Sequence, residues 1–345
     1  MTDTRVDSLG LWDAVAGFPE QVAAVADTSA MVDLPDSLPR NPTSIVVLGS
    51  GASGLAGQVL AAVVAPMLGV PVVVNRTYAV PGFVDRETLV IALSYSGATE
   101  ETIEATSQAA DAGARVVVVT QGGALESLAN EIDAPVLPVG DGAPVPRAGI
   151  GALVVPPIVL LERLGLFPGG REWIDLATTQ LVKRRDELMG PNSPAEALAN
   201  RIGRTFPVLY GSGAVGSAAA TRWKNSMNQN AKIPAFTATM PELCHNELAG
   251  FGQHGDVTRQ VFSLIQLRHE FEHPQIARRL HFVDDHLEEV VAGIYQVWAG
   301  GEGSLAMILD LLHYGDVVSL YLAEAGGVDP GPVPVIAELR SLIDS

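Results

Sequence analysis

The stretch Val46–Gly57 reads VVLGSGASGLAG. An apolar, β-branched run meets Gly49-Ser50-Gly51-Ala52-Ser53-Gly54 and then opens into small residues that a helix tolerates. This is the pattern of a strand, a glycine turn and the start of a helix. Such a turn aims backbone N–H groups at whatever sits over the helix N-terminus, and those groups favour an anion. The letters satisfy G-x-G-x-x-G, so a pyrophosphate, a single phosphate and a purely packing role are all open at this point.

The turn belongs to an alternating series. SIVVLG (44–49), PVVVNR (71–76), TLVIALSYSG (88–97), RVVVVT (115–120) and APVLPVG (134–140) read as strands, separated by helix-like stretches such as ATEETIEATSQAADAG. Continuous β-branched runs alternating with helices indicate a parallel sheet covered on both faces. An apolar helix from Arg147 to Leu166 closes this unit, and residues 167–192 read as a connecting helix between loops.

At Ser193 the pattern restarts, with Glu196 at capping-box spacing. PVLYGSGAVGSA (207–218) repeats the opening stretch, Gly49, Gly51 and Gly54 recurring as Gly211, Gly213 and Gly216. The copy carries Ala214-Val215 where the first loop has Ala52-Ser53, so it lacks that hydroxyl and is read as shaping a pocket. Residues 261–269 read as a strand, 274–289 as a helix opening on Pro274, and VVAGIYQVWAGG (290–301) as a strand; a long apolar helix and a helical tail follow. The expectation is an α/β protein with two doubly wound parallel-sheet domains in tandem: a helical segment at 1–40, a first domain at 41–166, a connection at 167–192 and a second domain at 193–345.

Composition narrows the function. The 345 residues are 48% apolar with one cysteine, Cys244, so no disulfide can form within the chain. The opening MTDTRVDSLG has no signal-peptide layout, and prolines and glycines break the longest apolar runs near 55–74 and 148–161, so a soluble, cytoplasmic protein is expected. A net charge of −18 argues against nucleic acid and anionic membranes as partners. Asp and Glu number 39, yet residues 37–84 and 197–241 contain none. The first gap brackets the opening glycine loop and holds Arg40 and Arg76; the second holds Arg201, Arg204, Arg222, Lys224 and Lys232. A local basic hollow in an acidic protein suits a small anionic substrate, although buried parallel strands also lack acids.

Ser94-Tyr95-Ser96-Gly97-Ala98-Thr99 follows a strand and presents three hydroxyls at a helix N-terminus. Hydroxyls, backbone N–H groups and the helix dipole together make a monophosphate site, which a doubly wound sheet places beside Ser53. The bland alternative is an ordinary N-cap at Thr99. A dinucleotide site asks for an acid at the end of the second strand, where this chain has Asn75-Arg76. An arginine there can serve a 2′-phosphate, so an NADP or nucleotide-sugar enzyme remains a weaker alternative. Residues 222–252 are densely polar and hold Lys224, Gln229, Lys232, Glu242, His245 and Glu247. Cys244, His245 and Glu247 are spaced too tightly for a tetrahedral metal site, and nothing activates Cys244 as a nucleophile. No metal or cofactor is expected.

The loop at 49–54, SYSGATEET (94–102), VTQGGALESLA (119–129), PRAGIGALV (146–154), RWKNSMNQNAKIPAF with PELCHNE further on, and the closing GDVVSLYLAEAGGVDPGPVPVIAELR together resemble the bifunctional phosphoglucose/phosphomannose isomerases, of the sugar-isomerase (SIS) fold. The resemblance implies two SIS domains, a homodimer, and metal-free isomerisation of glucose 6-phosphate or mannose 6-phosphate to fructose 6-phosphate. It implies that Ser53, Ser94, Ser96 and Thr99 hold the sugar phosphate and that Arg147 stabilises the enediolate, as a fixed guanidinium can. It further implies that His245 assists ring opening, reaching the site from the partner subunit.

Two positions depart from that family's pattern. The family glutamate that moves the proton lies sixteen residues before the ring-opening histidine, which here is Gln229 in Asn228-Gln229-Asn230-Ala231-Lys232. The family lysine near the C-terminus is here Arg340. A glutamine amide cannot accept a proton at neutral pH, so three readings stand: an isomerase using another base such as Glu242 or Glu247, a sugar-phosphate-binding protein with little or no turnover, and the NADP or nucleotide-sugar enzyme.

Overall fold

The computed structural model describes residues 6–140 and 142–343. The chain divides into two compact units. The N-terminal unit comprises Gly17–Lys183 with Gly300–Asp310; the C-terminal unit comprises Arg184–Ala299, with the chain up to Ala16 and from Leu311 onward.

The N-terminal unit is built on a five-stranded parallel sheet: β1 (Ser44–Leu48), β2 (Val72–Asn75), β3 (Thr88–Ser94), β4 (Arg115–Thr120) and β5 (Val136–Pro138), in the order β2-β1-β3-β4-β5. Every residue of β1 and β3 is buried, which is why both strands read as unbroken apolar runs. Val46, Leu48, Val90, Ala92, Val116 and Val118 share a core with Ala105, Ala109, Leu125 and Ala129 from helices Glu100–Asp111 and Gly123–Glu131. Val47 points to the other face. There a Cβ on Gly57 of helix Gly51–Val64 would come within 2.8 Å of Val47 Cγ1. Each fully buried Val or Leu stabilises this sandwich by about 1.5–3 kcal/mol.

Strand order places the chemistry. The chain leaves β1 for the edge strand β2 and returns on the other side of β1 as β3. The connections after β1 and β3 therefore part company at the carboxyl edge, opening a crevice between the Gly49 and Ser94 loops.

The C-terminal unit repeats the arrangement with β6 (Phe206–Ser212), β7 (Phe236–Met240), β8 (Phe262–Arg268) and β9 (Gly293–Trp298), all parallel in the order β7-β6-β8-β9. Its core joins Val208, Tyr210 and Leu264 to Ile276, Leu280, Val283 and Leu287 of helix Pro274–Leu287. Ser193 caps helix Pro194–Ile202 as its spacing indicates, accepting from the N–H groups of Ala195 and Glu196 at 3.2 Å. The tandem α/β architecture anticipated from the alternating strands is thus the one observed.

The glycine pattern has a packing reason in both units. A Cβ on Gly54 would lie 2.6 Å from the Gly49 carbonyl oxygen, and one on Gly211 would lie 2.1 Å from that of Gly216. In each case the first turn of a helix rests directly on the end of a strand. Helix Gly303–Gly326 is long and apolar enough to cross a membrane, but 94% of its most apolar window is buried inside the protein.

Candidate active site

The hydroxyl-rich loop after β3 is closely braced. Gly97 adopts φ +65°, and a Cβ there would fall 1.6 Å from the Gly122 carbonyl oxygen, so only glycine lets this turn nest against the loop after β4. Thr99 stands at the N-cap of helix Glu100–Asp111 without capping it. Its hydroxyl instead lies 3.0 Å from that of Ser94, which is fully buried. The exposed Ser96 hydroxyl accepts from the Ala98 N–H at 3.3 Å. A Cβ on Gly49 would come within 3.0 Å of both the Leu93 carbonyl oxygen on β3 and Ser53 Cβ, so the turn lies close against the end of the neighbouring strand. Ser53 lies in the first turn of helix Gly51–Val64, whose N-cap residue Ser50 also makes no side-chain cap. Two helix N-termini with no side-chain cap thus flank Ser53, Ser94, Ser96 and Thr99, and their first-turn N–H groups suit an anion.

Tyr95 ties the segment carrying Arg147 to this loop. Its hydroxyl donates to the Gly140 carbonyl oxygen and accepts from the Ala143 N–H, both at 3.3 Å. A Cβ on Gly149 would come within 2.3 Å of the Tyr95 ring. Arg147 sits half-buried between these anchors, on the 3-10 turn Pro146–Gly149. Gln21 fixes the next turn, donating to the Ala148 carbonyl oxygen at 3.1 Å and accepting from the Ala152 N–H at 3.3 Å. Tyr95 and Gln21 went unnoticed in the sequence because their partners are backbone groups far along the chain.

Ser53, Ser94, Ser96, Thr99 and Arg147 all belong to the N-terminal unit, whereas Gln229, His245 and Arg340 belong to the C-terminal unit. Gln229 is half-buried in a π-helical turn, Met227–Ala231, which ends at Lys232 in the left-handed region with φ +59°. Turns of this type gather at functional sites. The Lys232 ammonium closes the turn by donating to the Gln229 carbonyl oxygen and, at 3.5 Å, to that of Pro330. Asn230 donates to Ser319 Oγ at 2.9 Å. His245 is exposed on the 3-10 turn Glu242–His245, anchored by the buried Leu243. Arg340 is exposed on helix Pro334–Ile343.

The two carboxylates near His245 differ. Glu242 is exposed and accepts from Asn246 Nδ2 at 3.1 Å. Glu247 turns inward, its Oε1 buried near Tyr210. Burial, followed by the Glu247 charge, holds the Tyr210 phenol far above its ordinary pKa.

The acid-free run 197–241 does not leave all its cations facing solvent. Arg222 and Asp316 form a buried two-pronged ion pair at 2.8 and 2.7 Å, and Ser226 donates to the same carboxylate at 2.6 Å. Trp223 beside it donates to the Leu311 carbonyl oxygen at 2.7 Å and stacks on Tyr314. The second glycine loop also faces a carboxylate of its own chain: Ser212 donates to Glu272 Oε1 at 2.9 Å, and Glu272 pairs with Arg268 at 2.8 Å.

Residues 40–136 match the SIS domain family, and residues 191–343 match the bacterial phospho-glucose isomerase C-terminal SIS domain. A bifunctional phosphoglucose/phosphomannose isomerase of Caldicellulosiruptor bescii is 31% identical over 96% of this chain and 98% of its own. The chain belongs to the bifunctional phosphoglucose/phosphomannose isomerase family. Another member, from Thermoplasma acidophilum, is 33% identical over 87% of this chain and 90% of its own. Among solved structures, the C-terminal domain of glucosamine-fructose-6-phosphate aminotransferase from Francisella tularensis shares the fold, with a TM-score of 0.67 at 15% identity, covering 92% of this chain and 96% of that one. Membership in this isomerase family marks the chain as a sugar-phosphate isomerase.

Proposed function

We propose that the protein interconverts glucose 6-phosphate or mannose 6-phosphate with fructose 6-phosphate. The observation that carries this reading is the Ser94–Thr99 hydroxyl pair, left free of capping duty beside two helix N-termini in a chain of this family. Ser53, Ser94, Ser96 and Thr99 hold the phosphate. A proton leaves C2 of the open-chain aldose, an enediolate forms, and a proton is delivered to C1, with the hydroxyl proton passing between O1 and O2. Arg147 carries the enediolate's negative charge, and His245 and Arg340 assist ring opening; for these two the support is the family resemblance. We take the working form to be a cytoplasmic homodimer in which His245 serves the partner subunit's site. Mixing the Arg147→Ala and His245→Ala variants tests this: subunit exchange restores activity if the site is shared, and does not if it is not.

Gln229 favours a second reading, in which the protein binds the sugar phosphate and turns it over slowly or not at all. An amide keeps the size of the family glutamate without its basicity, and loss of a general base typically costs ~10²–10⁴-fold in rate. Glu247 is turned toward Tyr210 and is poorly placed as a substitute; Glu242, exposed, is the better candidate. Measuring fructose 6-phosphate formation, together with exchange of the C2 proton into solvent, decides between the readings. Binding without exchange leaves the second, and absence of binding removes both.

A further inference from the structure

Arg76 follows β2 at the carboxyl edge of the N-terminal sheet, the edge that carries the Ser53 and Ser94 loops. Its Nη2 donates to the Gly54 carbonyl oxygen at 3.1 Å and to Gln58 Oε1 at 2.8 Å. A Cβ on Gly54 would come within 3.0 Å of Arg76 Nε, so the missing side chain is the gap through which the guanidinium reaches the first turn of helix Gly51–Val64. The residue before Gly54 is Ser53.

Both acceptors of this guanidinium are neutral. The surrounding sequence, 37–84, supplies no carboxylate, although the chain as a whole carries a net charge of −18. The contrast within the molecule is sharp: Arg222 and Arg268 are each neutralised by a carboxylate at 2.7–2.8 Å. Arg76 is exposed, and the partial desolvation of its guanidinium against the helix turn lowers its pKa from the usual arginine value, yet it stays charged at any physiological pH. A tie between strand end and helix needs only a neutral donor, and neither Gly54 nor Gln58 uses the positive charge that Arg76 brings. That charge is left to act on an anion that arrives at the neighbouring turn.

We infer that Arg76 is a positioning residue whose charge is completed by the substrate's phosphate: it holds the helix turn at Gly54 and supplies the positive potential that draws the anion to Ser53. This rests on the phosphate site proposed above. The Asp/Glu-free run 37–84 then has a role, since a carboxylate there would pair with Arg76 and cancel its field.

The test compares wild type, Arg76→Lys and Arg76→Gln, using fructose 6-phosphate and inorganic phosphate as separate probes, with binding followed against sodium chloride and the ligand-free melting midpoint recorded. Arg76→Gln is expected to weaken both anions by about tenfold and to flatten the salt dependence. Arg76→Lys, which keeps the charge but not the paired donors, is expected to retain most of the affinity. Where turnover is measurable, the loss falls on KM rather than kcat. Equal binding by wild type and Arg76→Gln, or equal loss in both variants, overturns the inference in favour of a plain structural clamp. Binding of inorganic phosphate that depends on Arg76, with no binding of fructose 6-phosphate by wild type, sinks the proposed function and leaves Arg76 as inferred. Failure of wild type to bind either anion removes both.

Discussion

The hydroxyls of Ser94 and Thr99 lie 3.0 Å apart across one turn, so one donates to the other and both cannot donate elsewhere independently. While this bond persists, a bound phosphate would receive one proton from the pair, the other hydroxyl orienting the donor. Ser94→Ala and Thr99→Val are each expected to weaken sugar-phosphate binding by about tenfold or more, as loss of a hydrogen bond to a charged group does. The double variant is expected to lose less than the sum of the singles. Titration calorimetry with fructose 6-phosphate on all four proteins measures this.

Gln229→Glu restores a carboxylate in the π turn. It is expected to raise isomerase turnover by ~10²–10⁴-fold, the usual worth of a general base. Because the base works deprotonated, the gained activity should rise with pH through the glutamate's pKa; the wild type lacks that limb. A pH–rate profile of both proteins checks it. An unchanged rate would mean that Gln229 does not occupy the proton-transfer position.

Gly97→Ala puts a methyl group 1.6 Å from the Gly122 carbonyl oxygen at a φ of +65°. The loop must shift, at a cost of order 1–3 kcal/mol, and sugar-phosphate binding should be lost along with stability. Urea unfolding and ligand binding, measured together, test both halves.

The parts of this molecule legible in the sequence are those written locally. β1, β3 and β4 are unbroken β-branched runs, and the glycine turns after β1 and β6 announce strand-to-helix junctions. The Ser94–Thr99 loop was legible as a candidate phosphate site for the same reason. What escaped depends on distant partners. Arg222 looked like part of a basic hollow until Asp316, 94 residues on, proved to neutralise it. Arg76 bonds a backbone carbonyl, which leaves no mark in composition. The π turn at Gln229 has no residue signature, because it follows from how Asn228, Asn230 and Lys232 close their own hydrogen bonds.

Asp316→Ala removes the carboxylate that pairs with Arg222 in the interior. It is expected to destabilise the protein by about 3–5 kcal/mol. Replacing both partners with apolar residues, Arg222→Met with Asp316→Leu, should recover much of that loss. Chemical denaturation of the single and double variants separates the pair's net worth from the penalty of removing one partner alone.

Tyr210 makes stability depend on alkaline pH. Its phenol is held protonated in the folded state, whereas the unfolded chain ionises near the ordinary tyrosine value of about 10. The native state therefore binds the proton more tightly, and the contribution is fully present below that pH. Above it, stability should fall by about 1.4 kcal/mol per pH unit from this group. Tyr210→Phe removes the dependence, and its cost at neutral pH reads what the contact between the phenol and Glu247 contributes. Melting midpoints of the two proteins from pH 8 to 11 report the difference.

The π turn at Met227–Ala231 amounts to one residue more than an α-helix needs along the run that begins at Gly213. Deleting a single residue there would let the helix heal into regular geometry and turn the residues just after the deletion by about 100° about the helix axis. Gln229 would swing off its present bearing while the strand and helix around it stayed intact. This short segment is therefore where a change of length, rather than of residue type, would re-aim the Gln229 side chain.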